Sequence, residues 1–330
     1  KYYWSNCTMN TSEGFISAVL SSPKHFTIEK RSIPELSDSE ILIKLEGCGV
    51  CASNLPLWQG RPWFNYPQKP GAPGHEGWGR IVCSGKKVTR FKTGERVAFL
   101  SFSSFASFDI VEEANVVAIP KELDSTPFPG EPFGCVMNIL ERSQIKKGQN
   151  VAIIGSGFIG NTLCQLLRSS GVQTTVISKR QKNLSLSLKN GATKAFLLTN
   201  TTDLINTLNG ENPDGYDRVI ETCGYQEALT IAGEIVKTGG KIIIAGYHQD
   251  GLRTVNMQVW NWKGIDVINA HERDTSKCLH GMSKAIEAIS KKIIDPSVLY
   301  THQFNLSEIS EAFELLNNSS EGFIKALVFL

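Results

Sequence analysis

A glycine-rich segment near the middle of the chain has the spacing of a dinucleotide-binding loop. It reads GSGFIG and follows the apolar run Val151 to Ile154. In such a loop the first glycine allows a tight turn, the second lets the backbone approach a pyrophosphate, and the third lets the next helix pack against the strand. The segment predicts a nicotinamide cofactor and hydride transfer, and a glycine-rich turn in an unrelated α/β fold is the alternative. The predicted cofactor contacts are Gly155, Gly157, Phe158, Ile159 and Gly160.

The end of the next predicted strand bears on which nicotinamide cofactor is bound. An acidic residue there would hydrogen-bond the ribose 2′-hydroxyl of NAD(H), whereas this chain reads Ser178-Lys179-Arg180. Lys179 and Arg180 are able to pair with a 2′-phosphate, the arginine through two parallel hydrogen bonds. We therefore predict a preference for NADP(H) over NAD(H), and a solvated basic turn is the alternative.

Metal-binding residue types occur in three segments of the chain. The segments read GCGVCASN, PGHEG and GEPFGC, and they carry Cys48, Cys51, His75, Glu76 and Glu131. Cysteine, histidine and glutamate suit a catalytic zinc, which takes three protein ligands and polarises an alcohol or carbonyl oxygen at its open position. Two alternatives are cysteines that are simply buried, and a C-x-x-C pair that forms half of a structural zinc site.

The elements that must position these residues change character along the chain. As far as about residue 119 the chain reads as short strands and turns, such as Ile41 to Leu45 and Arg96 to Leu100. After Pro127 to Pro132, apolar strands alternate with helical patterns, which indicates βαβ units and a parallel sheet. The predicted strands are 151–154, 175–177, 195–198, 218–220, 241–245 and 266–269; helices follow around 277–290 and 308–316, then a closing strand at 325–330.

The bulk composition excludes several classes of protein. The 330 residues carry a net charge of +2 and no block of like charges, so neither nucleic acid nor a membrane surface is indicated. The eight cysteines lack the dense spacing of a disulfide scaffold, which predicts a reducing compartment. No secretory signal or membrane-spanning run is evident, so we expect a cytoplasmic protein that acts on a small molecule. The first dozen or so residues are left unassigned.

The motifs taken together resemble the medium-chain dehydrogenase/reductase family, and within it the zinc-dependent alcohol, sorbitol and threonine dehydrogenases. The resemblance covers residues 16–330 and implies an α/β fold, with a Rossmann doubly wound parallel sheet beside a mostly β, GroES-like catalytic domain. It implies a catalytic domain at 1–132 and 271–330 and a cofactor domain at 133–270. The markers are GVCAS, GHEG, FKTGERV, EPFG, the glycine loop, the Gly239-Gly240 turn before Lys241 to Gly246, and Gly322 to Lys325.

The resemblance also assigns roles at the predicted metal centre. Cys51 and His75 match the first two zinc ligands, and Glu131 stands where the family places its third group. Glu76 matches an adjacent acid that binds the metal or moves on and off it. Ser53 matches the hydroxyl that takes the substrate proton and passes it towards the cofactor ribose. The segment from 99 to 108 has no cysteine, so one catalytic zinc and no structural zinc is expected per chain.

Several positions depart from the family pattern or complete it. Asn54 stands where an aspartate usually orients the ligand histidine, and Pro56 stands where a relay histidine occurs in some members. Lys325 matches a basic residue that reaches the cofactor pyrophosphate. Thr222 and Gly246 complete the candidate cofactor-binding set.

The resulting expectation is a zinc-dependent oxidoreductase that transfers hydride between NADP(H) and an alcohol/carbonyl pair. Glu131 and the aromatic residues from Trp58 to Tyr66 favour a polyol, sugar-like or secondary alcohol, although such aromatics often only pack. His248 and His271 either line the pocket or are structural. The alternatives are a zinc-free quinone or enoyl reductase and a non-catalytic NADPH-binding protein. The resemblance further implies a homodimer or homotetramer.

Overall fold

The computed structural model describes residues 14–249 and 251–330. The unassigned amino-terminal stretch falls almost wholly outside this part of the chain. The strands are β1 (Phe15–Ser22), β2 (His25–Arg31), β3 (Glu40–Val50), β4 (Glu76–Ser84), β5 (Arg96–Phe99), β6 (Phe108–Glu112), β7 (Val116–Ala118), β8 (Asn150–Ile154), β9 (Gln173–Ser178), β10 (Lys194–Leu197), β11 (Tyr216–Glu221), β12 (Val236–Ile244), β13 (Asp266–Asn269), β14 (Tyr300–Asn305) and β15 (Lys325–Phe329). The helices are α1 (Leu55–Gln59), α2 (Gly130–Ser143), α3 (Phe158–Leu167), α4 (Gln181–Lys189), α5 (Thr201–Glu211), α6 (Gln226–Ile235), α7 (Met257–Lys263), α8 (Thr275–Ser290) and α9 (Ile309–Asn318).

Six strands form a parallel sheet in the order β10-β9-β8-β11-β12-β13. This is the doubly wound arrangement that the βα alternation predicts. The central strands β8 and β11 are buried along most of their length because both faces of the sheet are covered. The order reverses between β8 and β11, and a crevice at the carboxyl ends of such strands is where dinucleotides bind.

All six predicted strands of this sheet are present, with small differences in their ends. The largest difference is in β12, which was expected to begin at Lys241 and begins at Val236. The predicted Gly239-Gly240 turn lies inside this strand as an irregularity, because the pairing with β11 jumps from Val236 to Lys241. Gly239 has a φ of 68°, which an L side chain would strain.

The second sheet has seven strands, and β1 and β2 form a separate antiparallel pair. Its order is β14-β15-β3-β4-β5-β7, and β6 pairs with β3. The closing strand β15 returns to the first half and pairs antiparallel with β3, so that Ala326 lies opposite Val50. This return brings the carboxyl-terminal residues to the segment that carries Cys51.

One apolar core joins the two sheets. It includes Trp78 from β4, Phe133 from α2, Ile153 from β8, Met282 from α8 and Leu327 from β15, all at most 1% exposed. Close packing of this kind fixes the distance between the two sheets. Within the described part of the chain, no helix has the length and apolar character needed to cross a membrane.

The cysteines depart in one respect from the expected reduced state. Cys83 is disulfide-bonded. The free thiols among the described residues are Cys48, Cys51, Cys135, Cys164, Cys223 and Cys278.

Candidate metal and cofactor site

Three of the predicted metal-binding side chains lie together at the ends of two strands. The ligand atoms of Cys51, His75 and Glu76 all lie within 4.8 Å of one another. Cys51 directly follows β3 and His75 directly precedes β4, and the antiparallel register places Gly49 opposite Glu76. A side chain at position 49 would overlap the Glu76 carboxylate, so glycine is required there. The hairpin-like pairing of β3 and β4 thus builds the cluster.

A backbone carbonyl orients the His75 ring. The Nδ1 atom of His75 lies 3.1 Å from the carbonyl oxygen of Pro73. A carbonyl only accepts hydrogen bonds, so Nδ1 carries the proton and Nε2 is left as the metal-binding atom. Asn54, which was expected beside the histidine, instead donates to the same Pro73 carbonyl at 3.1 Å. The direct partner of His75 is therefore the Pro73 backbone and not residue 54.

The electrostatic surroundings of His75 favour a positive charge. Burial by itself would lower the pKa of His75, but the hydrogen bond and charge of Cys51 and the charges of Glu131 and Glu76 raise it to about 10. One thiol and two carboxyl groups are thus collected around one imidazole. A thiolate, an imidazole and a carboxylate at this spacing form a donor set that suits zinc.

Glu76 is paired with Lys325 from the closing strand. The Nζ atom of Lys325 lies 2.7 Å from Oε1 and 2.8 Å from Oε2 of Glu76, and both side chains are buried. Burial would lower the pKa of Lys325, but the charges of Glu76 and Cys51 raise it. Lys325 was expected to reach the pyrophosphate. Its ammonium is bound to Glu76 instead, and it also lies 4.9 Å above the ring of Phe158 in the glycine loop.

Glu131 lies beside the cluster and outside the group of mutually close ligand atoms. It is in the first turn of α2 and partly exposed, and the Cys135 thiol donates a hydrogen bond to its Oε1 at 3.2 Å. Desolvation raises the pKa of Glu131, against the lowering effect of His75. The charge of Glu131 therefore acts on His75. The thiol that binds the Glu131 carboxylate belongs to the residue one helical turn further along α2. Cys135 ends the GEPFGC segment, but no role was predicted for it from the sequence.

The hydroxyl of Ser53 lies next to the cluster. Its Oγ donates to the Cys51 sulfur at 3.2 Å, from the short helical turn that follows β3. Phe102, which the sequence did not single out, stacks on the His75 ring with centroids 5.7 Å apart and is 56% exposed. It belongs to the cysteine-free segment after β5, so an aromatic ring borders the cluster. Four phenylalanines spaced among the serines of residues 99–108 were the only available signal.

The glycine loop has the geometry that its spacing predicts. Gly155 has a φ of 118°, and a side chain there would overlap Thr222, while one at Gly160 would overlap the Gly155 carbonyl. Gly157 precedes α3, and the nearest atom to an added Cβ would be 3.9 Å away on Arg180. The backbone at Gly157 is therefore open to a pyrophosphate. The ring of Phe158 is buried, so this residue offers its backbone to a ligand.

The residues at the end of β9 all have partners within the protein. Ser178 accepts a hydrogen bond from Ser156 at 2.6 Å. Lys179 forms an ion pair with Glu227 at 2.5 Å, and Arg180 donates to the Phe323 carbonyl at 2.8 Å. Neither basic side chain is a free cation.

The other candidate residues take structural hydrogen bonds. Thr222 donates to the Ile154 carbonyl at 2.8 Å, and the Gly246 N–H donates to the Glu221 carbonyl at 2.8 Å. Both residues follow carboxyl ends of strands, where the cofactor crevice is expected.

The two loop histidines also have partners and lie outside the metal cluster. His248 Nε2 is 2.9 Å from Glu221, and Arg253 donates to its Nδ1 at 3.0 Å. His271 stacks on Tyr247 with centroids 5.7 Å apart. Burial lowers the pKa of His271.

Two family models match separate parts of the chain. The alcohol dehydrogenase GroES-like domain matches residues 37–121, and the zinc-binding dehydrogenase model matches residues 159–290. The chain is 25% identical to a sorbitol dehydrogenase of Bombyx mori, over 92% of this chain and 96% of that protein. It is 25% identical to D-arabinitol dehydrogenase 1 of Uromyces fabae, over 88% and 91%.

Solved structures share the fold. A dehydrogenase of unknown specificity from Escherichia coli has a TM-score of 0.85 at 24% identity, covering 96% of this chain and 99% of that one. A protein described as a zinc-binding dehydrogenase, from Sinorhizobium meliloti and bound to NADP, has a TM-score of 0.83 at 22% identity and the same coverage. At these identities the similarity establishes the architecture of both sheets.

Proposed function

Because the chain belongs to the zinc-type medium-chain dehydrogenase family and is an oxidoreductase of that family, we propose that it interconverts a secondary alcohol with its carbonyl compound, using NADP(H). The alcohol is proposed to be a polyol or sugar-like. One observation carries the proposal. The Cys51, His75 and Glu76 cluster is linked by Lys325 to the ring of Phe158, so the metal-binding residues face the glycine loop.

The residues in and beside the cluster are proposed to have different roles in the reaction. Cys51 and His75 would hold a zinc ion, with either Glu131 or Glu76 as the third protein ligand. Zinc at this position supplies Lewis acidity towards an alcohol or carbonyl oxygen. Ser53 is close enough to the Cys51 sulfur to hold the substrate hydroxyl proton at its Oγ. One zinc per chain is proposed, since the described residues contain one such group of ligand atoms.

The cofactor preference is proposed from the end of β9. Ser178 stands where NAD(H) enzymes carry an acid, so no carboxylate at this position opposes a 2′-phosphate. A Cβ added at Gly157 would lie 3.9 Å from Arg180, so Arg180 borders the open side of this glycine. Arg180 is available to such a phosphate if it exchanges its Phe323 contact. A domain division at residues 132 and 270 is kept as part of the proposal, and the pairing of β15 with β3 in the seven-stranded sheet supports it.

The substrate class is proposed from the relatives and from exposed aromatic surface. Relatives are named sorbitol and D-arabinitol dehydrogenases. Of the aromatics near Trp58, that residue is fully buried against Phe313, so the sugar-stacking role expected for it is wrong. Trp63 is 61% exposed, and Phe102, whose ring stacks on His75, is 56% exposed, so both rings leave apolar surface that a sugar-like substrate could contact.

The assembly is proposed to be a homodimer or homotetramer. The edge strand β13 ends the parallel sheet, with Val267 43% exposed, and Trp262 of the adjoining α7 is 88% exposed. Exposed apolar edge strands are sites of self-association. Analytical ultracentrifugation tests this, and a monomer at micromolar concentration would contradict it. The cytoplasmic location stays a prediction.

Metal analysis and a substrate screen test the proposed reaction. Purified protein should contain zinc, and the Cys51→Ala variant should lose it together with activity. Cys164→Ala is the matched control, because Cys164 is a buried free thiol of α3 and no part of the cluster. Polyols, secondary alcohols and ketones would be screened by nicotinamide absorbance with both cofactors. Zinc-free, active parent protein would support a zinc-free reductase, and cofactor binding without any turnover would support a non-catalytic protein.

A further inference from the structure

A carboxylate from the carboxyl-terminal segment occupies the start of helix α4. Glu321 accepts hydrogen bonds from the backbone N–H of Gln181 at 3.0 Å, through Oε1, and of Lys182 at 2.9 Å, through Oε2. These are the first two residues of α4, directly after the turn that carries Lys179 and Arg180. The first N–H groups of a helix have no partner within the helix and attract negative charge. Here the protein supplies that charge itself.

The position of Glu321 is fixed by its neighbours on both sides of the contact. The Phe323 carbonyl accepts hydrogen bonds from Arg180 at 2.8 Å and from the Asn183 amide at 2.9 Å. The Gly322 N–H donates to the Asn183 side chain at 2.9 Å. Residues 180–183, at the turn and the start of α4, therefore all form hydrogen bonds with residues 321–323. The carboxylate is held against α4 by this arrangement although its side chain is exposed.

The turn that carries Lys179 and Arg180 is where the protein is expected to meet the part of the cofactor that differs between NAD(H) and NADP(H). In a dinucleotide-binding sheet the end of the second strand meets the adenosine ribose, whose 2′ position is a hydroxyl in NAD(H) and a phosphate in NADP(H). A phosphate at this position has close to two negative charges, which the Lys179 and Arg180 side chains would have to receive. Lys179 is already paired with Glu227, and the charge of the Glu321 carboxylate acts on the Arg180 guanidinium. A 2′-phosphate that enters at this turn would therefore meet the negative charge of Glu321.

We propose that Glu321 is a specificity-determining residue for the cofactor, because its carboxylate occupies the α4 N–H groups next to the 2′ position and must withdraw for NADP(H) but not for NAD(H). The proposal rests on the proposed use of a nicotinamide cofactor and deepens it. A 2′-hydroxyl is uncharged and is able to donate to a carboxylate, so NAD(H) leaves the contact intact. A 2′-phosphate repels it. Withdrawal of Glu321 would also free the Arg180 guanidinium from the Phe323 carbonyl.

Binding measurements on E321Q test the proposal without requiring turnover. Dissociation constants for NADPH and NADH would be measured by isothermal titration calorimetry on the intact protein. We expect E321Q to bind NADPH about tenfold more tightly, a change that corresponds to ~1.4 kcal/mol, with NADH affinity changed less than about twofold. E314Q is the matched control, since Glu314 is an exposed residue of α9 and its change alters the net charge equally. Equal changes for both cofactors, or none, would overturn the proposal.

Hydrogen exchange on the unmodified protein provides a second test that does not depend on a variant. The peptide that contains residues 320–324 should exchange faster in the NADPH complex than in the NADH complex, because only the 2′-phosphate displaces Glu321. Identical exchange in the two complexes would contradict the proposal. If neither cofactor binds the unmodified protein, the proposed function itself fails. If both bind and E321Q leaves their affinity ratio unchanged, the role of Glu321 alone is wrong.

Discussion

The Lys325 ammonium lies within 2.8 Å of both carboxylate oxygens of Glu76, and this buried pair joins the closing strand to the metal cluster. Its partners come from β15 and β4, which are separated by 249 residues and meet only because both strands pair with β3. The pair also sets the charge of the centre, since it compensates one of the carboxylates near His75.

Removing Lys325 should destabilise the protein strongly. Lys325→Met leaves the Glu76 carboxylate buried without a counter-charge, and breaking a buried pair in this way costs about 3–5 kcal/mol. The free energy of unfolding would be measured with urea in the presence of a chelator. The double variant Lys325→Met, Glu76→Gln should recover much of the loss, because no uncompensated charge then remains. Equal stability of the single and double variants would show that the pairing contributes little.

Reversing the charge at Arg180 should affect the two cofactors differently. Arg180→Asp removes a cation and places a carboxylate where the 2′-phosphate is proposed to bind, while a 2′-hydroxyl tolerates that carboxylate. The KM for NADPH should therefore rise far more than the KM for NADH. Arg90→Asp, on an exposed residue away from the glycine loop, is the control for the change in overall charge. Equal effects on both KM values would refute the proposed NADP(H) preference.

The Cys135 thiol should support metal binding through Glu131. It donates to Glu131 Oε1 at 3.2 Å, and loss of a hydrogen bond that orients a metal ligand typically lowers metal affinity about 10–100-fold. Cys135→Ala should show such a loss in a chelator competition assay. Cys135→Ser retains a donor at the same position and should bind zinc more tightly than the alanine variant. If both variants match the parent, Glu131 does not need this hydrogen bond or does not bind the metal.

Asp109 should make stability depend on pH. Its carboxylate accepts hydrogen bonds from Ser104 and the Ile110 N–H and so anchors the loop that carries Phe102. Burial raises the pKa of Asp109 from 3.8 to about 6, although hydrogen bonds from Ser101 and Ser104 oppose this. The folded protein thus binds this proton more tightly than the unfolded chain. Its contribution to stability is fully present below about pH 4 and is lost as the pH rises through about 6.

Substitution of Asp109 separates this contribution from the other acids. Between pH 4 and pH 7 the free energy of unfolding of Asp109→Asn should shift relative to the parent by up to about 3 kcal/mol in favour of the variant. Urea unfolding across that range provides the measurement. Asp214→Asn, at an exposed position, should show no such trend. A difference between Asp109→Asn and the parent that does not vary with pH would mean that the carboxyl titrates normally.

The secondary-structure elements and the glycine loop of this protein can be predicted from its sequence. The glycine loop and the six parallel strands follow from spacing, apolar periodicity and turn residues, which act over a few neighbouring positions. Gly155 is an example of such a local constraint. Its φ of 118° disfavours other residues at this tight turn, whatever the rest of the fold. The resemblance further identified Cys51 and His75, whose ligand atoms the structure brings together.

Only the tertiary structure decided which side chains meet across long separations. Lys325 was expected at the pyrophosphate and is bound to Glu76, Glu131 is held by Cys135 beside the cluster, and Glu321 lies at the start of α4. These partners are selected by the register of β3 with β4 and β15 and by the docking of the last residues on α4. A single sequence does not encode such registers locally, because a side chain's partner depends on how distant strands pack and not on its own neighbours.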